Sequence, residues 1–274
     1  MKSYILITGA IGGLGSAMVM ECARRGYDLY LTDMREEVNG FAEYVSRTYS
    51  KDVKAASCDL TSGQSRSDFF DTLKKEGVRF RGLINVAGID HEGAFLDKTR
   101  DQIMQLIHLN VEATLDVTHE ILDLRDPDLK FMLVNVCSLA AVSPMPYKAT
   151  YAATKRFLLD FSYAIREEIK DFGTVTALCP AGMPTTHENM EAIFAQGFWG
   201  KVTTVDTRTV ARLTIDAAEK GKDVVIPGWL NQAIELGSRL LPASWTTRLA
   251  GDRWRTAQQS VDPWQEYVRS TRAV

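Results

Sequence analysis

The sequence predicts an α/β fold in which a single, doubly wound parallel sheet is flanked by helices. Short β-branched or apolar runs alternate with longer amphipathic stretches, and strands that alternate with helices form parallel sheets covered on both faces. A glycine-rich segment between the first run and the first amphipathic stretch supports the same class. No repeat, low-complexity segment or internal linker interrupts this rhythm, so one domain is expected.

The individual elements follow from the same periodicity. The predicted strands are Tyr4–Thr8, Leu29–Thr32, Val53–Ser57, Gly82–Asn85, Phe131–Val136, Val175–Leu178 and Val224–Ile226. The predicted helices are Gly13–Arg25, Glu36–Tyr49, Arg66–Glu76, Thr99–Leu124, Thr150–Phe172 and Thr207–Lys220. A further apolar helix pattern follows Pro227-Gly228 and ends at Pro242. Its apolar positions are Leu230, Ile234, Gly237 and Leu241.

Composition and charge narrow the class of protein. A net charge of -3 over 274 residues offers no basic surface for nucleic acid, so nucleic-acid binding is not expected. The apolar run Tyr4–Ile7 is too short for a signal peptide or a transmembrane segment. Scattered cysteines without paired spacing favour buried thiols in a reducing cytoplasm. The histidines form no ligand cluster, and no metal is predicted; they are His91, His108, His119 and His187.

A glycine-rich turn joins the first strand to the first helix. It runs Thr8-Gly9-Ala10-Ile11-Gly12-Gly13-Leu14-Gly15. Glycines there allow a tight turn and let main-chain amides approach a pyrophosphate at the helix N-terminus. A glycine pattern alone is a weak signal. Its position between a strand and a helix nevertheless favours a Rossmann-like dinucleotide site.

Acidic and small residues at the ends of the next strands fit the same site. Asp33 would accept hydrogen bonds from the adenosine ribose and repel a ribose phosphate, which favours NAD over NADP. Arg35 would weaken this preference, unless it is a solvated arginine at a helix start. Asp59 either bonds the adenine amino group or caps the next helix. The segment Asn85-Val86-Ala87-Gly88 either lets the ribose approach the backbone or forms a plain turn.

Tyr151 and Lys155 lie four residues apart in a predicted helix and so project from one face. An adjacent ammonium lowers the pKa of a phenol, which is ordinarily about 10. Ser138 and Asn110 precede this pair. Taken singly, the four have ordinary interpretations: a half-buried aromatic, a solvated lysine, a loop serine bonding its own backbone and a helix-capping asparagine. Together with the glycine turn and Asp33 they favour a catalytic site.

These residues together resemble the short-chain dehydrogenase/reductase family, in its classical branch, over about the first 185 residues. The chain departs from the family pattern at Val86, which replaces the second asparagine of the fourth-strand motif, and at Ala181, which replaces a glycine. The glycine motif is matched by Thr8, Gly9, Gly13 and Gly15. The catalytic residues implied by the resemblance are Asn110, Ser138, Tyr151 and Lys155.

The resemblance also implies a role for each group. Tyr151 would be the acid/base of hydride transfer to or from a nicotinamide, and Ser138 would donate to the substrate oxygen. Lys155 would lower the tyrosine pKa and hold the nicotinamide ribose. Asn110 would support a water-linked proton path, and Thr185 would touch the nicotinamide amide. The implied cofactor-binding residues are Gly9, Ile11, Gly13, Leu14, Gly15, Asp33, Asp59, Leu60, Asn85, Ala87, Gly88, Tyr151, Lys155, Pro180 and Thr185.

Residues 1–228 are therefore expected to form a Rossmann-fold dinucleotide-binding and catalytic domain, with 229–274 as its C-terminal helical extension. The irregular segment 181–206 leaves a strand end, where ligands bind in such sheets, and we interpret it as a substrate lid. Its large side chains suit a bulky apolar substrate, although packing of the loop on the sheet explains them nearly as well. They are Met183, Met190, Phe194, Phe198 and Trp199. Met145 and Tyr147 would line the opposite wall.

The Pro227–Asn231 turn resembles the corresponding turn of family members that act on steroids, long acyl chains or other hydrophobic ketones. The leading hypothesis is an NAD-dependent enzyme that interconverts a hydroxysteroid, or a similar bulky secondary alcohol, with its ketone. A 3-oxoacyl or other carbonyl reductase, an NAD-sensing binding protein and an NAD-using epimerase are alternatives. The retained Tyr–Lys pair disfavours the NAD-sensing binding protein, and the short substrate segment disfavours the epimerase. We expect a cytoplasmic homodimer or homotetramer, with a tryptophan-rich tail that packs on the core, joins subunits or lies on a membrane.

Overall fold

A seven-stranded parallel sheet forms the centre of the computed structural model, which describes residues 2–183 and 203–259. Its strand order is β3-β2-β1-β4-β5-β6-β7, and every neighbouring pair is parallel. The strands are β1 (Ser3–Thr8), β2 (Asp28–Asp33), β3 (Val53–Ser57), β4 (Arg79–Asn85), β5 (Phe131–Val136), β6 (Gly173–Leu178) and β7 (Val224–Val225). The predicted doubly wound α/β class is confirmed.

The helices lie close to their predicted positions. They are α1 (Gly13–Arg24), α2 (Glu37–Tyr49), α3 (Gly63–Lys75), α4 (Arg100–Ile107), α5 (Thr114–Asp123), α6 (Ala149–Glu168), α7 (Thr207–Glu219), α8 (Trp229–Leu240) and α9 (Ala243–Gln259). α3 begins before the predicted Arg66 because the Ser62 hydroxyl caps it, accepting from the Ser65 amide at 3.3 Å. α8 ends just before Pro242, as predicted.

One predicted helix changes its type along its length. The stretch Thr99–Leu124 contains α4 and α5, but residues His108–Ala113 between them form a π-helical turn. Asn110 lies in this turn, and its carbonyl accepts from the Thr114 hydroxyl at 3.1 Å. Asn110 therefore does not cap a helix, which was its ordinary interpretation. Such π turns are frequently found at functional sites.

Alternation along β1 divides the core between the two faces of the sheet. Ile5 and Ile7 pack with α1, α2 and α7 on one face, whereas Tyr4 and Leu6 pack with α3, α5 and the start of β4 on the other. All four are at most 5% exposed. Because successive strand residues point to opposite faces, one short run serves both layers.

The strand order reverses between β1 and β4, and ligands bind beyond the carboxyl ends of strands at such a switch point. The Thr8 hydroxyl joins the two strand ends by accepting from the amides of Val86 and Ala87, both at 3.1 Å. This places the glycine turn beside the fourth-strand motif. Within the part of the chain that the structure describes, no helix is long and apolar enough to cross a bilayer.

Candidate active site

The glycine turn is packed so tightly that Gly9 and Gly15 leave no room for a side chain. Gly9 has φ +62, and a Cβ there would lie 2.9 Å from the Ala87 Cα. A Cβ on Gly15 would lie 1.9 Å from the carbonyl oxygen of Gly9. α1 begins after Gly12, which has no side chain to cap the first amides. Those amides and the positive end of α1 suit the phosphates of a dinucleotide.

Asp33 lies at the end of β2 and contacts this turn. Its Oδ2 accepts from the Ile11 amide at 3.3 Å, and its Oδ1 accepts from both the amide and Nε of Arg35, each at 3.3 Å. The Asp33 side chain is 8% exposed and that of Arg35 is 54% exposed. Arg35 is thus paired with Asp33 rather than freely solvated. A carboxylate and a guanidinium therefore both border the ribose position expected from the sequence.

The residues after β3 form a local turn. Asp59 Oδ1 accepts from the amide and the hydroxyl of Thr61, at 2.9 and 2.7 Å. Its alternative as a helix cap is wrong, because Ser62 occupies that position. Leu60 is 6% exposed, and its carbonyl accepts from Arg66 Nη1 at 2.7 Å. These contacts fix the turn beside the end of β2, where the Cys58 amide donates to the Asp33 carbonyl at 2.8 Å.

The Asn85 side chain is buried within a chain of polar groups. Its amide donates to Thr118 Oγ1 at 3.0 Å and to Asn135 Oδ1 at 2.9 Å. Asn135 in turn donates to Ser162 Oγ at 2.9 Å. This network links β4 to β5, α5 and α6, and the Nδ2 group of Asn85 is used within the protein.

Asn110 joins the loop after β4 to the helix that carries the tyrosine. Its Oδ1 accepts from the Ile89 amide at 3.0 Å, and its Nδ2 donates to the Ile89 carbonyl at 2.9 Å and to Thr154 Oγ1 at 3.2 Å. The side chain is fully buried. A Cβ on Gly88 would lie 3.1 Å from Asn110 Oδ1 and 3.2 Å from Lys155 Nζ. The residue predicted for the proton path is therefore beside Lys155.

Tyr151 and Lys155 lie on the first turns of α6 and meet near the carboxyl end of β5. Lys155 is 4% exposed, its Nζ donates to the Val136 carbonyl at 2.8 Å, and burial lowers its pKa. That Nζ lies 5.8 Å from the centroid of the Tyr151 ring. The Ser138 hydroxyl hydrogen-bonds Tyr151 and also accepts from the Ala140 amide at 3.1 Å. Three of the four predicted catalytic residues thus converge directly, and Asn110 adjoins Lys155.

The prediction that neighbouring protein groups lower the Tyr151 pKa overall is wrong. The pKa of Tyr151 is raised to about 12, mainly by burial and in addition by the charge of Asp90. The hydrogen bond from Ser138 and the charge of Lys148 oppose this rise. A lone Tyr–Lys spacing could not reveal that desolvation of the phenolate outweighs a nearby ammonium.

Lys148 and two carboxylates border the tyrosine and were missed by sequence reasoning. Lys148 Nζ donates to Asp90 Oδ2 at 2.6 Å, pairs with Glu92 and lies 5.6 Å from the Tyr151 ring centroid. Burial opposes the charge of Lys148, but these carboxylates raise its pKa overall. No motif spacing relates Lys148 to residues about sixty positions earlier, so only the folded structure reveals the cluster.

An open cavity of about 380 Å³ lies between helix α9 and the loops that contain Phe95 and Tyr147. Tyr147, predicted to line the substrate wall, borders it, whereas Met145 is half-buried elsewhere on the same loop. Tyr147 has φ +65, and its carbonyl accepts from the Gly93 amide at 2.9 Å. The remaining lining residues are Ala94, Phe95, Pro146, Thr247, Arg248 and Gly251.

Several predicted contacts concern the segment after β6. The Pro180 carbonyl accepts from the Leu139 amide at 2.8 Å, which ties this segment to the Ser138 turn. Met183 packs against the core on the α1 side of the sheet. Thr185, His187 and the predicted lid residues from Met190 to Trp199 lie outside the described residues.

The described histidines and cysteines take no part in a metal site. No group of His, Cys, Asp or Glu side chains within residues 2–183 and 203–259 could hold a metal ion. His91 Nε2 is buried without a hydrogen-bond partner, His108 pairs with Glu112 and His119 is exposed. All four cysteines are free and buried, as predicted; Cys137 and Cys179 hydrogen-bond each other.

Comparison with known proteins identifies the family. A family model described as short chain dehydrogenase matches residues 3–193. The chain therefore belongs to the short-chain dehydrogenase family, as its motifs indicated. Members of this family bind NAD or NADP, and the tight glycine turn, Asp33 and Lys155 fit such a cofactor.

Relatives in sequence act on different substrates. The 17-beta-hydroxysteroid dehydrogenase type 3 of Mus musculus is 32% identical over 181 residues, which are 64% of this chain and 58% of that protein. The very-long-chain 3-oxoacyl-CoA reductase of Laccaria bicolor is 28% identical over 173 residues, covering 61% of this chain and 51% of that protein. The chain thus matches little more than half the length of these relatives.

Solved structures share the fold. A short-chain dehydrogenase from Sphingobium yanoikuyae in complex with NADPH has a TM-score of 0.70 and 25% identity, covering 95% of this chain and 96% of that one. A 4-hydroxyisoleucine dehydrogenase complexed with NADH also has a TM-score of 0.70, with 21% identity, covering 83% of this chain and 98% of that one. The two similar structures hold different nicotinamide cofactors.

Proposed function

We propose that this protein is an NAD(H)-dependent oxidoreductase that interconverts a secondary alcohol and a ketone. The observation that carries the proposal is the convergence of Ser138, Tyr151 and Lys155 at the carboxyl edge of the sheet, with Tyr151 bonded to Ser138. This edge also holds the glycine turn suited to dinucleotide phosphates. Residues 1–228 would supply both the cofactor and the catalytic parts of one domain, and 229–274 its extension.

The protein's groups are arranged to move one proton at the substrate oxygen. A bound nicotinamide supplies or accepts the hydride. Tyr151, neutral at physiological pH because its pKa is about 12, would give its proton to the ketone oxygen, and Ser138 would donate a hydrogen bond to that oxygen. Lys155 would hold the ribose hydroxyls with the donors left after its bond to Val136. Asn110 would hold the loop at Ile89 and helix α6 together beside Lys155.

Changing Lys148 to methionine is expected to move the pH profile of alcohol oxidation to higher pH. Oxidation needs the tyrosinate as base, so its rate rises as pH passes the Tyr151 pKa. Lys148 lowers that pKa and neutralises Asp90, which raises it. Removing the ammonium therefore raises the Tyr151 pKa on both counts. The pH dependence of kcat/KM measures the shift; Lys148→Arg keeps the charge and should restore the wild-type profile, and an unshifted Lys148→Met profile contradicts the assignment.

We further propose NAD rather than NADP as the cofactor. The nearly buried Asp33 carboxylate would accept from the adenosine ribose hydroxyls and repel a phosphate there. Arg35 is the competing group, but its bonds to Asp33 Oδ1 direct its charge toward that carboxylate. A wild-type preference for NADP would overturn this choice.

The change Asp33→Asn tests the cofactor proposal. It keeps the size of the side chain and one acceptor oxygen but removes the charge. We expect the ratio of kcat/KM for NAD to that for NADP to fall at least about tenfold, as for loss of a charged hydrogen bond of about 1.5–3 kcal/mol. Arg35→Ala should move the ratio the other way. Equal ratios in wild type and Asp33→Asn would show that Asp33 does not select the cofactor.

The substrate is proposed to be bulky and hydrophobic, such as a hydroxysteroid. The cavity beside Tyr147 is bordered by Phe95 and Pro146 and reaches α9, and an apolar substrate body would fit between them. The steroid-acting relative supports this class, and the fungal 3-oxoacyl-CoA reductase supports the alternative, a long-chain 3-oxoacyl substrate.

A substrate panel tests the proposed class. Nicotinamide absorbance would be followed with hydroxysteroids, long-chain 3-oxoacyl esters, small polar ketones and sugars, each with NAD and NADP. The highest kcat/KM is expected for steroids with NAD. Turnover only of small polar ketones or sugars would contradict the bulky substrate, and no turnover with any ketone or alcohol would contradict the reaction.

Association into a homodimer or homotetramer in the cytoplasm completes the proposal. Apolar side chains are exposed on the neighbouring helices α4 and α6 and would be covered by a second copy. They are Met104, Ile107, Phe157 and Tyr163. The free, buried cysteines are consistent with a reducing compartment.

A further inference from the structure

Helix α8 buries two polar side chains and exposes two large apolar ones. Asn231 and Glu235 are 1% and 9% exposed. Asn231 Nδ2 donates to the carbonyl of Thr203 at 2.9 Å and to that of Pro227 at 2.7 Å. Trp229 and Leu236, seven residues apart and thus on one face, are 78% and 60% exposed. Surface helices normally bury their apolar side, so this arrangement indicates an external apolar partner.

The next helix, α9, also exposes large apolar side chains. Trp245 and Leu249 lie one turn apart and are 62% and 60% exposed, and Leu241 in the corner between the helices is also exposed. Single exposed apolar residues need no explanation, but a cluster of them marks an interaction site. We name this cluster the C-terminal apolar surface; its members are Trp229, Leu236, Leu241, Trp245 and Leu249.

The composition of this region indicates the kind of partner. Residues 229–259 contain four arginines and two carboxylates, although the whole chain has a net charge of -3. One of the two carboxylates, Glu235, is buried, whereas Arg248 is exposed. Four of the five tryptophans of the chain follow residue 228. Exposed tryptophan and leucine combined with arginine are typical of helices that lie in the headgroup region of a bilayer.

We propose that the C-terminal apolar surface binds an anionic lipid bilayer, lying in its headgroup region without crossing it. Arginine can reach lipid phosphates while the tryptophan and leucine side chains enter the acyl boundary. A second copy is the competing occupant. In a two-fold contact the same patch meets itself, which would bring the excess positive charge of both copies together. An anionic bilayer neutralises that charge.

The C-terminal apolar surface adjoins the cavity beside Tyr147. Thr247, Arg248 and Gly251 of α9 line the cavity together with Phe95, which is itself exposed. A bilayer against this surface would therefore deliver apolar molecules close to the cavity. This consequence, unlike lipid binding itself, rests on the proposed oxidoreductase function.

Vesicle sedimentation of the full-length protein tests the proposal without an activity readout. Vesicles of phosphatidylcholine alone are compared with vesicles that also contain phosphatidylglycerol. We expect the wild-type protein to sediment with the anionic vesicles, and less so at high salt. The double change Trp245→Gln and Leu249→Gln should lower the partition coefficient at least about tenfold, since two large apolar side chains no longer insert. Tyr44, a similarly exposed aromatic residue on α2, supplies the matched control, and Tyr44→Gln should bind as wild type.

Each outcome decides the assignment. Thermal unfolding followed by circular dichroism should be unchanged in these exposed-site variants, and Trp229→Gln on α8 gives a second test if the double variant does not fold. Wild-type protein that stays in the supernatant, or a double variant that binds like wild type, overturns the proposal. If the wild-type protein stays in the supernatant and forms an oligomer that is lost in the double variant, the surface is assigned to a second copy of the chain.

Discussion

Tyr151→Phe is expected to abolish turnover while leaving NADH binding largely intact. The change removes only the phenolic oxygen that hydrogen-bonds Ser138. The ring keeps its place between Lys148 and Lys155, whose ammonium groups lie 5.6 and 5.8 Å from its centroid. Because a positioned general acid contributes about 10²–10⁴-fold to a rate, kcat should fall by that factor. Nicotinamide absorbance measures kcat, and fluorescence titration measures NADH affinity.

A second tyrosine supplies the control for this experiment. Tyr44→Phe removes the same atom from an exposed residue of α2 and should leave both kcat and NADH affinity unchanged. Retained turnover in Tyr151→Phe would defeat the assignment of Tyr151 as acid/base. A loss of NADH affinity equal to the loss of kcat would instead make Tyr151 a cofactor-binding residue.

The parts of this fold that the sequence predicts are those set by local chemistry. The short apolar run Tyr4–Thr8 and the longer amphipathic stretches specify strands and helices, and their alternation is compatible with few topologies. The positions of Gly9 and Gly15 specify the turn because their neighbours leave no room for a Cβ. Predicted helix boundaries are less accurate where a capping side chain, such as that of Ser62, determines where the helix begins.

The parts that the sequence does not predict depend on contacts between distant segments. The Lys148–Asp90 ion pair joins residues 58 positions apart. The π-helical turn places Asn110 against Ile89 and Thr154, and no periodicity distinguishes such a turn from an ordinary helix. The high pKa of Tyr151 follows mainly from burial, which the Tyr–Lys spacing does not report.

The environment of Asp33 illustrates how such contacts change a functional interpretation. From the sequence, Arg35 either weakens the preference for NAD or is a solvated arginine at a helix start. In the structure its side chain is 54% exposed, and its Nε and amide both donate to Asp33. A paired guanidinium partly neutralises the carboxylate that should repel a ribose phosphate. The cofactor preference therefore depends on the pair, and both residues must be varied to assign it.

Gly15→Ala is expected to weaken cofactor binding and to lower stability together. The new Cβ would lie 1.9 Å from the Gly9 carbonyl oxygen, a main-chain atom, so the turn or the start of α1 must move. Overpacking of this kind costs about 1–3 kcal/mol of stability. The same movement displaces the amides offered to the pyrophosphate, and we expect NADH affinity to fall at least about tenfold, since tenfold corresponds to about 1.4 kcal/mol.

The same substitution elsewhere separates local clash from the general effect of removing a glycine. A Cβ on Gly40, an exposed position inside α2, meets nothing within 4 Å. Gly40→Ala should therefore stabilise the protein by about 0.5–1 kcal/mol, because alanine is the better helix former, and leave NADH affinity unchanged. Chemical unfolding and fluorescence titration of both variants measure the two effects. If Gly15→Ala behaved like Gly40→Ala, the close approach within the turn would not be the reason for glycine at position 15. The main argument that the amides at the α1 N-terminus bind the cofactor phosphates would then fail.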